Sequence, residues 1–341
     1  MWCIFWWLLY PLSFLLLFYL LRRQWERLVV DDLPHRPVLI TGCDSGFGYG
    51  LAVKCVANGM PVFAGCRTEE GIRRLQREIG GGERGRGLLS AFLLDVTNGD
   101  SVEKAVEYVA KNAEKHGGLY GIVNNAGIVG HSFYDDFLTI DDYRETLEVN
   151  LFGVVRVTKA FVPQLRKTKG RIVNMASMCA RLGLPGIGPY TVSKHGVSAY
   201  SDCIRQELRI WGISVHVIEP GFFKTPLISE EALDQQMHKV WDGCREDVKQ
   251  AYGREFFDRA SEVTKEMIGL VASGDVQWVI DTYFHALTAK FPRRRYQVGW
   301  DHILFFLPLS ILPAGLSDGV LRIMEYFSGA PVPRDVILGQ R

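Results

Sequence analysis

From Pro37 onward, short β-branched runs alternate with amphipathic stretches of helical length. That alternation constrains the fold more than any other feature of the chain. The strand-like runs are Val38–Thr41, Val62–Gly65, Leu88–Val96, Leu119–Asn124, Arg171–Met175 and Ile213–Glu219. Between them, the stretch from Ser101 sets Val102, Ala105, Val106, Val109 and Ala110 on one helical face. Residues 139–165 and 189–211 also read as helices. Strands separated by whole helices are joined by crossovers, and crossovers make parallel sheets. Because such connections are almost always right-handed, helices cover both sheet faces. The expected product is a single doubly wound α/β domain with its ligand crevice at the carboxyl ends of the strands.

The first strand runs straight into a glycine cluster, "VLITGCDSGFGYG" (residues 38–50). Glycine costs roughly 0.5–1 kcal/mol in regular structure, so the cluster needs a reason. A tight surface turn is one. The sharper reading is a strand turning into a helix that starts near Gly48, with backbone N–H groups and the helix N-terminus facing an anion. Gly42, Gly46 and Gly48 are spaced G-x3-G-x-G, unlike the commoner G-x-G-x-x-G of dinucleotide sites.

The 341 residues carry 39 basic and 38 acidic side chains, a net charge of +1. No basic stripe suits a phosphate backbone, so nucleic acid is not expected as a partner. Seven cysteines (3, 43, 55, 66, 179, 203, 244) show no C-x-x-C pair or zinc spacing and read as mostly buried thiols. The histidines at 35, 116, 131, 195, 216, 238, 285 and 302 show no metal-ligand spacing either, so no metal is expected.

The amino terminus differs in kind. "WCIFWWLLYPLSFLLLFYLL", Trp2 to Leu21, is twenty residues without a charge, and at 1.5 Å per residue such a run spans a hydrocarbon core of about 30 Å. It is too long for a cleaved signal peptide and lacks a charged leader or small-residue cleavage site. Arg22, Arg23 and Arg27 follow it, and the positive-inside rule puts the rest of the chain in the cytosol. The expected organisation is a single-pass anchor over 1–28, a folded domain over 29–290 and a carboxyl-terminal extension over 291–341. In that extension "HILFFLPLSILPAGL" (His302–Leu316) is apolar but broken by Pro308 and Pro313. It reads equally as a buried cap or as a membrane-surface segment beside the substrate mouth. "GGGERGRG" (Gly80–Gly87) reads as a surface loop.

"GPYTVSKHG" places Tyr190 and Lys194 four apart on one helical face. A free phenol has a pKa of about 10, and a neighbouring ammonium lowers it by favouring phenolate. A phenol so adjusted serves as acid or base for alcohol–carbonyl interconversion. Ser177, at the carboxyl end of a strand, would hydrogen-bond the same substrate oxygen. No G-x-S-x-G elbow surrounds it, which counts against a hydrolase nucleophile.

Taken together, Gly42-x3-Gly46-x-Gly48, "NNAG" (Asn124–Gly127), Ser177, Tyr190-x3-Lys194 and Pro220–Gly221 resemble the short-chain dehydrogenase/reductase family. "TGCDSGFG", "LEVNLFG", "IEPGFFKT" and "HALTAKFPRRRYQVGWD" are similar to the branch holding retinol and hydroxysteroid dehydrogenases. The resemblance implies a Rossmann-like fold, Tyr190 as acid/base, and Lys194 as its pKa modifier and nicotinamide-ribose contact. It implies that Ser177 orients the carbinol oxygen and that Asn150 sits in a helix and holds a proton-relay water. It also implies that Asp95 contacts adenine, Asn124 braces the sheet and cofactor pocket, and Thr225 touches the carboxamide. Ser45, Phe47, Val96, Pro220 and Gly221 join the cofactor site. Dimers or tetramers are the family's habit.

The expected protein is a membrane-anchored enzyme of the endoplasmic reticulum that interconverts a lipophilic alcohol, retinoid or steroid, and its carbonyl. A relative on the same branch oxidises 3-hydroxybutyrate in mitochondria, but this amino terminus lacks the Ser/Arg-rich amphipathic character of a transit peptide. A silent membrane or lipid-droplet scaffold is the other alternative, and such a member should have lost Tyr190, Lys194 or a glycine. Cofactor choice falls about 20 residues beyond the glycine turn, where an acid binds the ribose 2′-hydroxyl and an Arg accommodates a 2′-phosphate. Here "VFAGCRTEEG" presents Cys66 and Arg67, which favours NADP(H), with NAD(H) as the alternative.

Overall fold

The computed structural model describes residues 2–82 and 87–339, and all side chains in them except those of residues 2–9, 11, 12 and 15. Residues 83–86 of the expected glycine-rich loop lie outside the described residues. A first helix, α1 (Trp2–Glu26), precedes the domain. The domain then alternates β1 (Val38–Thr41), α2 (Gly46–Ala57), β2 (Val62–Cys66), α3 (Glu69–Leu75), β3 (Leu89–Leu93), α4 (Gly99–Ala113) and β4 (Gly121–Asn124). Two helices follow, α5 (Ile140–Leu147) and α6 (Gly153–Thr168), then β5 (Arg171–Met175), α7 (Gly188–Glu207) and β6 (Ser214–Pro220). After β6 come α8 (Glu230–Gly243), α9 (Glu246–Tyr252), α10 (Arg254–Val271), α11 (Gln277–Thr288) and β7 (Arg295–Val298). The tail holds α12 (Leu307–Ile311), α13 (Ala314–Ser328) and α14 (Arg334–Gly339).

The seven strands form one sheet in the order β3-β2-β1-β4-β5-β6-β7, and every pairing is parallel. The doubly wound expectation holds, with the order reversing between β1 and β4. Successive strand residues point to opposite faces, and the two cores follow that rule. Val38, Ile40, Val123 and Val173 pack with Leu51 and Cys55 of α2 and Tyr283 and Leu287 of α11. Leu39, Ile122 and Ile172 pack on the other face with Val109 of α4 and Phe161 and Leu165 of α6. Cys43, Cys55, Cys66 and Cys179 are buried free thiols, and burial pushes Cys55 and Cys66 up to about 12.

Three elements depart from the sequence reading. The third strand ends at Leu93 rather than Val96, because the Asp95 carboxylate accepts from the backbone and hydroxyl of Thr97 and turns the chain. The single helix expected over 139–165 starts from a Thr139 capping box with Asp142. It is then interrupted by a π-helical turn at Glu148–Phe152 centred on Asn150. β7 was not expected, because Arg295 and Gln297 disguise it as polar chain. Both of those side chains donate to the fully buried Glu219 of β6, and Arg181 donates to the same carboxylate. A buried carboxylate held by three donors replaces apolar patterning as the specification for this strand.

The end of α1 is tied to the domain: Val30 N–H donates to Thr288, Lys290 N–H donates to Leu28, and Arg293 pairs with Glu26. Among the described residues no helix is long and apolar enough to cross a membrane. Many side chains of Trp2–Leu21 fall outside that description.

Candidate active site

The glycine turn is built by close approach. Gly42 and Gly46 have φ of +70° and +59°, where a Cβ is strained. A Cβ on Gly42 would also stand 2.8 Å from Ala126 Cα, and one on Gly48 would stand 2.4 Å from Gly42 O. Gly48 therefore lets α2 pack against its own turn. Asn125 locks the arrangement, since its Nδ2 donates to Thr41 O and Gly42 O (3.0 and 3.1 Å) and its Oδ1 accepts from Tyr283 Oη. A Cβ on Gly46 would meet nothing within 4 Å, yet Gly46 lines the cavity, so the turn leaves a cradle there. Ser45 precedes α2 without a side-chain cap bond, leaving the helix N-terminus to an external anion. These residues fit the pyrophosphate of a dinucleotide.

At the end of β2, Arg67 is exposed and lines the same cavity. Its backbone N–H and the backbone N–H and hydroxyl of Thr68 all donate to the Asp44 carboxylate. Asp95 lies nearby; its hydrogen bonds from Thr97 hold its carboxyl below the usual range against partial burial, with the Arg67 charge helping. Val96 is buried beside it.

The chemical centre joins β5 to α7. Ser177 follows β5, and Tyr190 and Lys194 stand one turn apart on α7. Burial raises the Tyr190 phenol above its ordinary pKa, while a hydrogen bond with Ser177 works the other way. The Lys194 ammonium lies 5.4 Å from the Tyr190 ring centroid and donates to Met175 O at 3.1 Å. Its own pKa is lowered to about 8 by burial. Burial therefore opposes the lowering expected from the neighbouring Lys194 ammonium. Desolvation is the larger effect, and the ammonium stands over the ring and bonds Met175 O rather than the hydroxyl.

Asn150 is buried behind this pair. Its Oδ1 accepts from Ile128 N–H and its Nδ2 donates to Ile128 O, both at 2.8 Å, and to Ser193 Oγ. A Cβ on Gly127 would stand 3.1 Å from Asn150 Oδ1 and 3.7 Å from Lys194 Nζ. The π-helical turn is what aims this amide at the Ile128 backbone, a frequent use of such bulges.

One cavity of about 530 Å³ connects these parts. Gly42, Ser45, Gly46, Phe47, Arg67, Asp95, Val96, Ser177, Tyr190, Lys194, Pro220, Gly221 and Thr225 all line it. Gly48, Asn124 and Asn150 do not. Asn124 instead donates to Thr158 Oγ1 of α6 and Asn174 Oδ1 of β5. Sequence reasoning missed Asn125, its neighbour in "NNAG", and Asp301. Asp301 Oδ2 accepts from Phe222 N–H at 2.7 Å, and a Cβ on Gly221 would stand 2.2 Å from that carboxylate. The glycine of the Pro220–Gly221 turn therefore makes room for Asp301. Beyond Ser177 the walls become apolar, with Phe133, Leu227, Leu233, Met237 and Ile268. From the tail, Phe306 packs on Met178 and Cys179, so the segment begins as a cap, whereas Leu304, Ile311 and Leu316 are exposed. Among the described residues no group of His, Cys, Asp and Glu could hold a metal ion.

A family model described as short chain dehydrogenase matches residues 36–236. The chain is 42% identical over 313 residues to 17-beta-hydroxysteroid dehydrogenase type 6 of Bos taurus, covering 92% of this chain and 96% of that one. It is also 42% identical over 313 residues to retinol dehydrogenase 7 of Rattus norvegicus, with the same coverage. Among solved structures it is similar to a short chain dehydrogenase from Burkholderia cenocepacia in complex with NADP. That likeness has a TM-score of 0.61 at 21% identity, covering 84% of this chain and 97% of that one, and it speaks to the fold alone.

Proposed function

The chain belongs to the short-chain dehydrogenase family, and on that premise we propose a membrane-anchored oxidoreductase that interconverts a lipophilic alcohol and its aldehyde or ketone. Retinoids and hydroxysteroids are the substrate classes, as the names of its relatives suggest. The observation that carries the reading is the continuity of one cavity from the glycine cradle, past Ser177, Tyr190 and Lys194, to an apolar wall.

A nicotinamide cofactor supplies the hydride acceptor or donor. The glycine turn and the α2 N-terminus would hold its phosphates. Ser177 Oγ orients the carbinol oxygen towards Tyr190 Oη. In oxidation Tyr190 Oη takes the carbinol proton, and in reduction it returns one to the carbonyl oxygen. Lys194, fixed by Met175 O, contributes positive charge that favours the phenolate. The apolar walls exclude water from the reacting carbon.

NADP(H) is the preferred cofactor in this reading. Arg67 stands at the position where a guanidinium can pair bidentately with a 2′-phosphate, and the Asp44 carboxylate beside it is occupied by three donors. A charge-assisted bond of roughly 1.5–3 kcal/mol corresponds to a preference on the order of 10–100-fold. The test offers retinol and steroid alcohols with either cofactor and takes the ratio of kcat/KM, before and after Arg67→Leu. The substitution is expected to remove the NADP preference. A wild-type preference for NAD that Arg67→Leu leaves unchanged would show that Arg67 plays no part.

The membrane reading rests on the charge-free Trp2–Leu21 run, the Arg22–Arg23–Arg27 flank and exposed Phe14, Leu304, Ile311 and Phe327, which suit contact with lipid. The domain is proposed to face the cytosol from the endoplasmic reticulum. An N-glycosylation acceptor engineered near residue 85 is expected to stay unmodified, and its glycosylation would place the domain in the lumen. Deleting residues 1–28 is expected to release the protein from membranes. Full retention would assign the anchoring to His302–Leu316 instead.

A further inference from the structure

We infer that Gln236 is a second polar recognition point in the cavity, one that reads an oxygen at the far end of the substrate from the reacting carbinol. Such a site fits a rigid alcohol oxygenated at both ends, a hydroxysteroid with a second hydroxyl or oxo group, rather than a retinoid whose far end is a hydrocarbon ring. The inference rests on the dehydrogenase reading and deepens it.

Gln236 lies on α8 and lines the cavity. Its Oε1 is buried and has no hydrogen-bond partner among the described residues. Buried polar atoms are almost always paired, and an unpaired one calls for a ligand, a water or a function. Polar groups nearby in the chain or on the cavity wall have partners of their own. Thr264, which also lines the cavity, donates its hydroxyl to Ala260 O at 2.8 Å. Asp234 is bound by Lys265 at 2.8 Å, and Ser229 Oγ caps α8 by accepting from Ala232 N–H. The other cavity-lining side chains of this cluster are apolar Phe133, Leu233, Met237 and Ile268 and the aromatic Tyr134.

The wall is also distinct from the chemical centre. Leu233, Met237 and Ile268 belong to a hydrophobic cluster with Phe133 and Phe257. Tyr190 packs in another, with Met178, Cys179, Ile187, Phe222 and Phe306. A substrate with its carbinol oxygen between Ser177 and Tyr190 therefore extends along an apolar surface to reach the amide. There Oε1 accepts from a hydroxyl; with the amide turned over, Nε2 donates to a carbonyl. A site with a buried polar group discriminates strongly against a ligand that leaves it unpaired.

The test uses the full chain in detergent with its cofactor and three alcohols. These are a steroid hydroxylated on its first and last rings, the same steroid lacking the last-ring oxygen, and retinol. The doubly oxygenated steroid is expected to exceed the deoxy steroid by about tenfold or more in kcat/KM, mostly through KM. Gln236→Leu is expected to bring that ratio close to one. Gln236→Met serves as a second, shape-conserving variant, and the wild-type ratio decides even if neither variant folds. Equal kcat/KM for the two steroids in wild type, or a ratio unchanged by Gln236→Leu, overturns the inference. Retinol preferred over both steroids overturns it too, while leaving the dehydrogenase reading intact. Turnover of none of the three overturns that reading and the inference together.

Discussion

Tyr190→Phe is expected to lower kcat by about a thousandfold, in the middle of the range for losing a positioned acid/base, with cofactor affinity retained. The substitution removes one oxygen from a ring whose packing with Cys179, Ile187 and Phe222 is otherwise unchanged, so folding is not the variable. Without Oη the carbinol proton has no acceptor. Ser177 is no substitute, because an ordinary hydroxyl is too weak a base and its oxygen already accepts from Cys179 N–H. Steady-state kinetics and a cofactor titration on the same preparation check both halves. Substantial turnover by Tyr190→Phe at neutral pH would sink the mechanism.

Lys194→Met is expected to act in three ways at once. Loss of the ammonium removes a stabiliser of phenolate, so activity appears only at higher pH. The contact to the nicotinamide ribose that the family resemblance implies for Lys194 would go too, weakening cofactor binding by about 10–100-fold. The third effect is on stability and has the opposite sign. Burial holds Lys194 at about 8 in the folded chain, below the roughly 10.4 of an exposed lysine. The folded state therefore binds this proton less tightly than the unfolded state does. The cost is full below pH 8 and relieved as pH rises from 8 towards 10.4. Lys194→Met removes that cost and is expected to raise the neutral-pH Tm while activity falls, a site where stability is traded for function. The sign also sets the pH dependence of the native protein. Its cofactor affinity should decline as pH rises through about 8, where Lys194 loses its charge, and Lys194→Met should lack that step. An identical decline in the variant would assign it to another group.

The strands on which the site stands were legible because each face of the sheet is apolar. Val38–Thr41 and Arg171–Met175 fall where the sequence reading puts them. β7 was illegible because its register is specified by Glu219 reaching Arg295 and Gln297 across the sheet, a pairing that no local period encodes. Gly42, Gly46 and Gly48 announced a close approach, but not that Asn125 makes the bonds holding the turn. In "NNAG" the two amides are adjacent, but Asn124 ends β4 and bonds Thr158 and Asn174, while Asn125 follows the strand and bonds the glycine turn. The Tyr190–Lys194 spacing was readable as one helical face, whereas the electrostatic balance was not, since desolvation depends on everything packed around α7. Gln236 is an ordinary glutamine in sequence. Only the folded chain shows that its amide oxygen is buried at the cavity wall without a partner.

The most direct test of the account follows the hydrogen. The full-length protein is given a steroid alcohol deuterated at its carbinol carbon and oxidised cofactor, and the products are weighed by mass spectrometry. The account predicts one deuterium on the nicotinamide ring for each ketone formed. Ketone formed without deuterium in the cofactor, or no carbonyl product from either steroid or retinoid alcohols, would contradict it.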